Sequence, residues 1–278
     1  MAKQHVLIGV TLDKFNGFTP SMLISGLDIL GMKFVEVTIT VLGELETFPR
    51  KLGRMQTAFH LPLVHETGWD LSCLEHADKI AQLIADLNKH HALLKIHHLV
   101  CHPPECIHLG NSLPAAQEFL FANLKKLDIP VYLENIPEYT PQEFTQFYHQ
   151  ARQELGAKIA GICYDAAHYY ITGIDPVTQY TELASEIGCI HLSDCEEKKD
   201  AHLPFGLGQL PVKDILKAIQ KSRYKGYVTL EILPHSMQDL DAYIRSYLTT
   251  LYYLDYKKYL LTRMRLFFLR PLINKFIK

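Results

Sequence analysis

The chain has 278 residues, of which 48% are hydrophobic and 21% charged. That amount of apolar material fills the core of one large domain or of two small ones. The formal net charge of −2 excludes an overall positive field that would recruit nucleic acid or acidic substrates, although a local basic groove is compatible with it.

Eight short apolar runs rich in β-branched residues follow one another along the chain. In chain order they are 5–12 (HVLIGVTL), 33–39 (KFVEVTI), 55–61 (MQTAFHL), 96–102 (IHHLVCH), 130–135 (PVYLEN), 159–165 (IAGICYD), 188–194 (GCIHLSD) and 226–233 (GYVTLEIL). Their nearly continuous apolar character is typical of parallel strands that are covered on both faces. We therefore interpret each run as a strand.

Helical periodicity occupies the segments between these runs. It is clearest over 73–91 and recurs over 112–127, 140–155 and 211–222. Pro114, Pro141 and Pro211 stand near the predicted starts of three of these helices, where a proline suits the first turn.

Eight strands that alternate with helices predict an α/β fold, a single (β/α)8 TIM barrel. A doubly wound open sheet is the alternative, but it usually has fewer strands and a glycine-rich first turn. The first turn here, LDKFNGF, has no GxGxxG pattern. We expect one barrel domain over residues 1–250, followed by a basic, amphipathic extension over 251–278.

The cysteines and the N-terminus predict a cytoplasmic protein. The six cysteines, Cys73, Cys101, Cys106, Cys163, Cys189 and Cys195, form no CxxC pair and no dense framework. Cys101, Cys163 and Cys189 lie inside apolar runs, as buried free thiols do, so a reducing compartment is the simpler interpretation. The first residues, MAKQHVLIGVTL, lack the pattern of a signal peptide, and no apolar stretch approaches the ~18 residues of a membrane span.

Side chains that bind metals stand at the predicted strand ends from the third strand onward. They are His60, His102, Glu134, Asp165, His191 and Glu231, together with His168 after the sixth strand and Asp200 and His202 after the seventh. The carboxyl ends of the strands form the active-site face of a β/α barrel, and buried charges need partners or metals. The set therefore predicts a metal site at that face.

Two spacings sharpen this prediction. In CYDAAH, His168 follows Asp165 within one helical turn, so both side chains can face one cavity. In KKDAHLPFGLG, Asp200 and His202 point the same way if the segment is extended. Mixed imidazole and carboxylate ligands suit zinc or manganese rather than calcium, and the excess of imidazoles favours zinc.

These residues resemble the xylose-isomerase-like barrels, which include endonuclease-IV-type AP endonucleases (AP endonuclease family 2) and many sugar or sugar-phosphate isomerases and epimerases. The resemblance covers roughly residues 55 to 235 and is most specific in GICYDAAHYYITGID, IHLSD, DAHLPFGLGQL and VTLE. It implies the same barrel fold and a divalent metal, with zinc favoured, one to three ions, and manganese as the alternative.

The resemblance also implies how the ligands divide. In an endonuclease-IV-type site one zinc would take His60, His102 and Glu134, the second Glu134, Asp165, His191 and Glu231, and the third His168, Asp200 and His202. In the isomerases a single ion would take the second of these sets. Glu134 and Glu231 would then also act as the acid/base pair, and His168 would orient a substrate hydroxyl.

The departures from the DNA-repair members favour a small substrate. The Tyr-Leu pair that those members carry after the first histidine ligand is missing from HLPLVHETG, and no basic stripe surrounds the predicted barrel mouth. We expect a sugar or sugar-phosphate isomerase or epimerase that transfers a proton next to a carbonyl. A zinc phosphodiesterase acting on DNA is the first alternative, and an inactive barrel that only binds a sugar or metal is the second. Gly9, Thr11 and Glu36 occupy further pocket positions that the sequence does not rank.

The C-terminal segment 256–278 has seven basic residues and no acidic one. Its apolar residues Leu260, Leu261, Met264, Phe267 and Phe268 share a helical face, and Pro271 is expected to kink or restart the helix. Packing on the barrel or against a second copy in a homodimer is the simplest interpretation. A peripheral contact with an anionic membrane and a contact with nucleic-acid phosphates are the alternatives.

Overall fold

The computed structural model describes residues 6–15, 17–105, 112–233 and 239–277, with side chains as far as Phe268. Its strands are β1 (Leu7–Leu12), β2 (Phe34–Val37), β3 (Gln56–His60), β4 (Ile96–Cys101), β5 (Val131–Glu134), β6 (Ile159–Asp165), β7 (Ile187–Leu192), β8 (Asp194–Glu196), β9 (Lys199–Leu203) and β10 (Tyr227–Leu230). All but β8 and β9 form a closed barrel, in which each strand pairs in parallel with its neighbour along the chain and β10 closes onto β1. The predicted (β/α)8 TIM barrel is confirmed.

Helices connect the barrel strands on the outside. They are α1 (Pro20–Leu30), α2 (Phe48–Lys51), α3 (Val64–Thr67), α4 (Ala77–Leu94), α5 (Leu113–Leu124), α6 (Pro141–Leu155), α7 (Ala166–Ile171), α8 (Pro176–Leu183), α9 (Val212–Lys221), α10 (Leu240–Leu254) and α11 (Tyr256–Ile277). The four predicted helical segments correspond to α4, α5, α6 and α9. Pro114 and Pro141 lie in the first turns of their helices, whereas Pro211 occupies the N-cap position, just before α9 begins.

The barrel interior has two layers, because alternate residues of a strand point to the same side. Asp165 on β6 pairs with His191 on β7, and two residues earlier Cys163 pairs with Cys189. The upper layer at the carboxyl ends is therefore polar. The lower layer consists mainly of apolar side chains and thiols. Its buried hydrophobic members are Phe34, Ala58, Val100, Cys163, Cys189 and Tyr227, and the buried ring of His98 lies among them.

The segment after β7 departs from the prediction of one strand over 188–194. β7 ends at Leu192, and β8 and β9 then form a separate antiparallel hairpin that stands at the mouth of the barrel. Asp194 holds this hairpin against the following turn, because its carboxylate accepts hydrogen bonds from the backbone of Cys195, Gly206 and Leu210. The hairpin presents Asp200 and His202 to the cavity.

The C-terminal helix α11 packs against α10 and α1. Thr262 is fully buried and donates its hydroxyl to the carbonyl of Leu30 at the end of α1. Phe267 and Phe268 are 76% and 71% exposed. The helix runs through Pro271 as one element, so the expected restart of the helix is wrong. The side chains of Arg270, Lys275 and Lys278, which the sequence counts among the basic residues, lie outside the described part.

The cysteines follow the prediction in part. Cys101, Cys163, Cys189 and Cys195 are buried free thiols. Cys73 is disulfide-bonded, so the interpretation of an entirely reduced set is wrong at this position. Cys106, and residue 5 of the first predicted strand, lie outside the described residues. Among the helices that the structure describes, none combines the length and the hydropathy of a membrane span.

Candidate metal centre

All nine sequence-predicted ligands gather at the carboxyl ends of the barrel strands. The innermost, Glu134, Asp165 and His191, are at most 1% exposed. Asp200 and His202 on the hairpin form the rim, with side chains 21% and 20% exposed. The site is thus closed at its floor and open to solvent on the side of the hairpin.

The first group joins β3, β4 and β5. His60 Nε2 lies 3.1 Å and His102 Nε2 3.4 Å from the same oxygen, Oε2 of Glu134. The ligand atoms of these three residues all lie within 4.8 Å of one another, which is a spacing that a single divalent ion can draw together.

The second group shares Glu134 and adds Asp165, His191 and Glu231, again with one ligand atom each within 4.8 Å of the others. His191 Nδ1 lies 3.1 Å from Glu134 Oε1 and 3.1 Å from Glu231 Oε2. Glu134 therefore faces both groups, with one oxygen toward each.

The third group converges on Asp200. His168 Nε2 lies 3.0 Å and His202 Nε2 3.3 Å from Asp200 Oδ2. His202 has a left-handed backbone with a φ of 45°, and this turn of the chain keeps its ring directed at Asp200 although β9 is otherwise extended. Both histidines thus direct Nε2 at the same oxygen of Asp200.

Backbone carbonyls fix the orientation of three of the imidazoles. Nδ1 of His60, His168 and His202 donates to the carbonyls of Leu61, Asn135 and Glu231 at 2.9, 2.7 and 3.0 Å. A nitrogen that donates a proton in this way leaves the other nitrogen of the neutral ring with a free lone pair. In each of the three residues that other nitrogen is Nε2, which faces a carboxylate of the site.

Carboxylates hold the remaining two imidazoles. His102 Nδ1 lies 2.8 Å from Glu105 Oε1, so its Nε2 faces the cavity. His191 is reversed: its Nε2 lies 3.1 Å from Glu36 Oε2, and its Nδ1 faces Glu134 and Glu231. Carboxylate–imidazole pairs of this kind usually lie behind metal-binding histidines.

Glu105 is a residue of the candidate site that the sequence does not single out, and Glu36 is one that the sequence places only among unranked pocket positions. Glu36 on β2 is fully buried, which a carboxylate tolerates only with partners. A charged residue inside the run KFVEVTI is the signal that could have identified it. Glu105 follows His102 by three residues, and a spacing of three between histidine and glutamate would have pointed to it.

The histidines and carboxylates of the site shift one another's pKa values. Burial opposes a charge on His60, but the hydrogen bond to Glu134 and the nearby carboxylates outweigh it and raise the pKa of His60 to about 10. Burial likewise opposes ionisation of Glu134, but His191 and His102 hold its pKa well below the ordinary value. Burial raises the pKa of Asp165 to about 6, although His168 beside it acts in the opposite direction.

The donor set fits a divalent cation. Oδ2 of Asp165 and Oδ1 of Asp200 are buried and have no hydrogen-bond partner among the described residues. Unpartnered buried carboxylate oxygens are costly unless a cation or proton neutralises them. A cation that displaces the protons of the imidazoles facing these carboxylates would meet a set of nitrogen and oxygen ligands that suits zinc or manganese.

The sequence of the chain also matches a known protein family. Residues 44–249, about three quarters of the chain, match the family model described as "Xylose isomerase-like TIM barrel". The chain belongs to this family. No curated protein sequence matches it.

Solved structures with low sequence identity share the fold of this xylose isomerase-like barrel. A D-tagatose 3-epimerase-like protein is 18% identical, with a TM-score of 0.64 over 87% of this chain and 96% of its own. A 3-keto-D-glucoside 4-epimerase from E. coli is 14% identical, with a TM-score of 0.64 over 87% and 98%. An AP endonuclease of family 2 from Brucella melitensis is 14% identical, with a TM-score of 0.63 over 84% and 94%.

Proposed function

We propose that this xylose isomerase-like barrel is a divalent-metal-dependent isomerase or epimerase of a sugar or sugar phosphate. Sugar epimerases among the structures of similar fold support this proposal, as does the family to which the chain belongs. The convergence of two carboxylates on one imidazole nitrogen, Nδ1 of His191, is the observation that carries it.

Glu134 and Glu231 are these carboxylates. Both lie 3.1 Å from Nδ1 of His191, and they come from strands that are not adjacent in the barrel, β5 and the end of β10, with β6 and β7 between them. Two carboxylates that approach one position from non-adjacent strands can transfer protons at the two faces of a substrate carbon. Glu231 is 13% exposed and Glu134 1% exposed, so Glu231 lies nearer the entrance.

The reaction consists of two proton transfers. One glutamate removes the proton from the carbon next to the carbonyl, and the other returns a proton to the opposite face, which inverts that carbon. General acid/base catalysis of this kind contributes roughly 10²–10⁴-fold to the rate. A bound divalent cation would stabilise the negative charge that develops on the substrate oxygens. His168 holds a substrate hydroxyl from the rim, where its Nε2 now meets Asp200.

Zinc or manganese would be held by Glu134, Asp165, His191 and Glu231, the group that contains both proposed catalytic glutamates. We favour zinc for the full set of nine residues, because imidazoles make up five of them, and manganese for this carboxylate-rich group alone. A cytoplasmic location remains a prediction from the sequence, as do the homodimer and the membrane contact of the tail.

Hydrogen exchange on candidate substrates tests the function. Metal-depleted protein is loaded with Zn²⁺ or Mn²⁺ and incubated in heavy water with ketoses and ketose phosphates. Nuclear magnetic resonance should show deuterium at the carbon next to the carbonyl of one of them. The Glu231→Gln variant should fold normally and lose at least roughly 100-fold of this exchange, because an amide cannot transfer the proton.

The control for this variant is Glu196→Gln on the exposed face of the hairpin, which should exchange at the wild-type rate. Near wild-type exchange by Glu231→Gln would contradict the assignment of the catalytic pair. Absence of exchange with every sugar tested, at full metal occupancy, would contradict the proposed function itself.

A zinc phosphodiesterase is the second candidate, and the completeness of the first and third ligand groups favours it. A one-metal isomerase needs no ligand from His60, His102, Asp200 or His202, yet all four direct a ligand atom at the site. In a phosphodiesterase, clustered ions would clamp the phosphate, and DNA would then be the partner.

Metal counts separate the two candidates. For the proposed isomerase, we expect His102→Ala and His202→Ala each to keep one ion at the Glu134 group and to change mainly substrate affinity. The control is His149→Ala, at an exposed position of α6. Loss of a whole ion in each of the two variants, with cleavage of an abasic-site duplex by the wild type, would establish the phosphodiesterase instead.

A further inference from the structure

His98 occupies an unusual position in the lower layer of the barrel. It lies on β4, is fully buried, and neither of its ring nitrogens has a hydrogen-bond partner among the described residues. Aromatic rings surround it, with the centroids of Tyr227, Tyr132 and Phe34 at 4.5, 4.9 and 5.9 Å. An imidazole buried without a hydrogen-bond partner destabilises the folded state, because its desolvated nitrogens lose their contacts with water.

The Glu36 carboxylate adds a second unpartnered atom to this region. Its Oε2 contacts His191 Nε2 at 3.1 Å and the Thr229 hydroxyl at 3.4 Å. Its Oε1 is buried and has no hydrogen-bond partner in the part of the chain that the structure describes. The carboxylate thus uses one oxygen to hold the metal centre above it and leaves the other free.

Cys189 completes the group. One carboxylate oxygen of Glu36, one ring nitrogen of His98 and the Cys189 sulfur all lie within 4.8 Å of one another, and all three residues are fully buried. Cys163 lies opposite Cys189 on the neighbouring strand, and its sulfur is within 4.8 Å of that of Cys189. Ligand atoms around a zinc ion lie roughly 3.3–3.8 Å apart, so small side-chain shifts would close the group.

We propose that His98, Cys189 and Glu36 form a second cation site inside the barrel, with Cys163 as an additional thiolate ligand, and that it binds a thiophilic divalent cation such as Zn²⁺. The mixture of sulfur, nitrogen and oxygen ligands selects zinc over magnesium or calcium. The ion would connect β2, β4 and β7 below the candidate metal centre. Glu36 would then contribute to both sites, since its Oε2 also contacts His191.

The chemistry of the ligands allows this site to be observed separately from the one above it. The candidate metal centre has only nitrogen and oxygen ligands, whereas the second site has sulfur. Thiolate-to-metal charge transfer absorbs in the ultraviolet and is produced only by sulfur ligands. Titration of the reduced, metal-depleted full chain with Cd²⁺ or Co²⁺ should therefore produce this band, and the metal content should rise by one ion per chain relative to the upper site alone.

Variants assign the band to this group. Cys189→Ser and His98→Gln should each abolish or strongly weaken it and lower the metal content by one ion. The control is Cys195→Ser, since Cys195 is also a buried free thiol but lies on the hairpin outside the group. Circular dichroism checks that each variant is folded, and His98→Gln decides the assignment if Cys189→Ser does not fold.

Two results would overturn the proposal. One is a folded wild type that binds metal without the charge-transfer band. The other is a band that persists in both Cys189→Ser and His98→Gln. Neither result bears on the isomerase, because the hydrogen exchange assay depends on the upper site alone.

Discussion

At the scale of single residues, the candidate metal centre depends on how each imidazole is oriented. His191 is the most constrained, because its Nε2 faces Glu36 while its Nδ1 faces Glu134 and Glu231, all at 3.1 Å. A rotation of the imidazole ring about the Cβ–Cγ bond would break all three contacts at once. Glu36 thus determines which nitrogen of His191 faces Glu134 and Glu231 in the candidate metal centre.

Replacement of the Glu36 carboxylate should lower the metal affinity of the candidate metal centre without removing one of its predicted ligands. We expect Glu36→Gln to lower Mn²⁺ affinity about 10–100-fold, because residues behind a metal ligand typically contribute that much. Electron paramagnetic resonance of free Mn²⁺ measures the affinity directly. The exposed Glu46→Gln on the segment after β2 serves as the control and should bind Mn²⁺ as the wild type does. Unchanged affinity in Glu36→Gln would show that His191 is oriented by its other neighbours.

At the scale of elements, close approach between β1 and β2 depends on a glycine. An ideal Cβ on Gly9 would lie 2.2 Å from the backbone oxygen of Phe34 and 2.7 Å from its carbonyl carbon. Backbone atoms of a barrel strand cannot move aside as the end of a flexible side chain can. Gly9 therefore allows β2 to approach and place Phe34 in the lower layer and Glu36 in the upper layer.

Gly9→Ala should accordingly destabilise the barrel by about 1–3 kcal/mol, the range typical of an overpacked core. Gly26→Ala provides the contrast. Gly26 lies within α1, and an added Cβ there would meet nothing within 4 Å. Alanine is the better helix former, so this change should stabilise the protein by up to about 1 kcal/mol. Urea unfolding of both variants measures the two free energies, and a Gly9→Ala variant as stable as the wild type would contradict the packing argument.

The elements also show what sequence reasoning could and could not predict. The barrel strands were predictable because strands covered on both faces produce apolar runs, as IAGICYD of β6 does. The hairpin of β8 and β9 was not, since SDCEEKKDAHL is polar and takes its shape from the contacts of the Asp194 carboxylate. Strand-end residues such as His60 and Glu134 could be placed together from topology alone. Glu36 could not, because its role depends on meeting His191 across 155 residues of sequence.

At the scale of the whole molecule, the C-terminal helix α11 is joined to the barrel through a positively charged contact. Lys258 is partly buried there, near Asp255, Lys33 and Arg265. The Arg265 side chain lies against Gly31 at the end of α1. Burial, together with the positive charges of Lys33 and Arg265, lowers the pKa of Lys258 to about 8, and Asp255 only partly opposes this.

The lowered pKa of Lys258 predicts how the stability of the folded protein depends on pH. Below pH 8 Lys258 is charged in the folded and in the unfolded chain, so the folded state bears the full unfavourable energy of the buried charge. As the pH rises toward about 10.4, the ordinary lysine pKa, the folded state loses this proton first and the unfavourable energy disappears. Lys258 therefore destabilises the protein at neutral pH and ceases to do so in alkaline solution.

Lys258→Met should remove the charge and keep most of the apolar contact. We expect the variant to be more stable than the wild type by about 1–2 kcal/mol at pH 7, a value reduced from the full shift to allow for solvent screening. The advantage should shrink as the pH rises from 8 toward 10. Urea unfolding at a series of pH values measures it, with Lys257→Met, at an exposed position of the same helix, as the control. A Lys258→Met variant that is less stable than the wild type at pH 7, or whose advantage grows with pH, would show that Asp255 stabilises the Lys258 charge by more than burial and the neighbouring cations destabilise it.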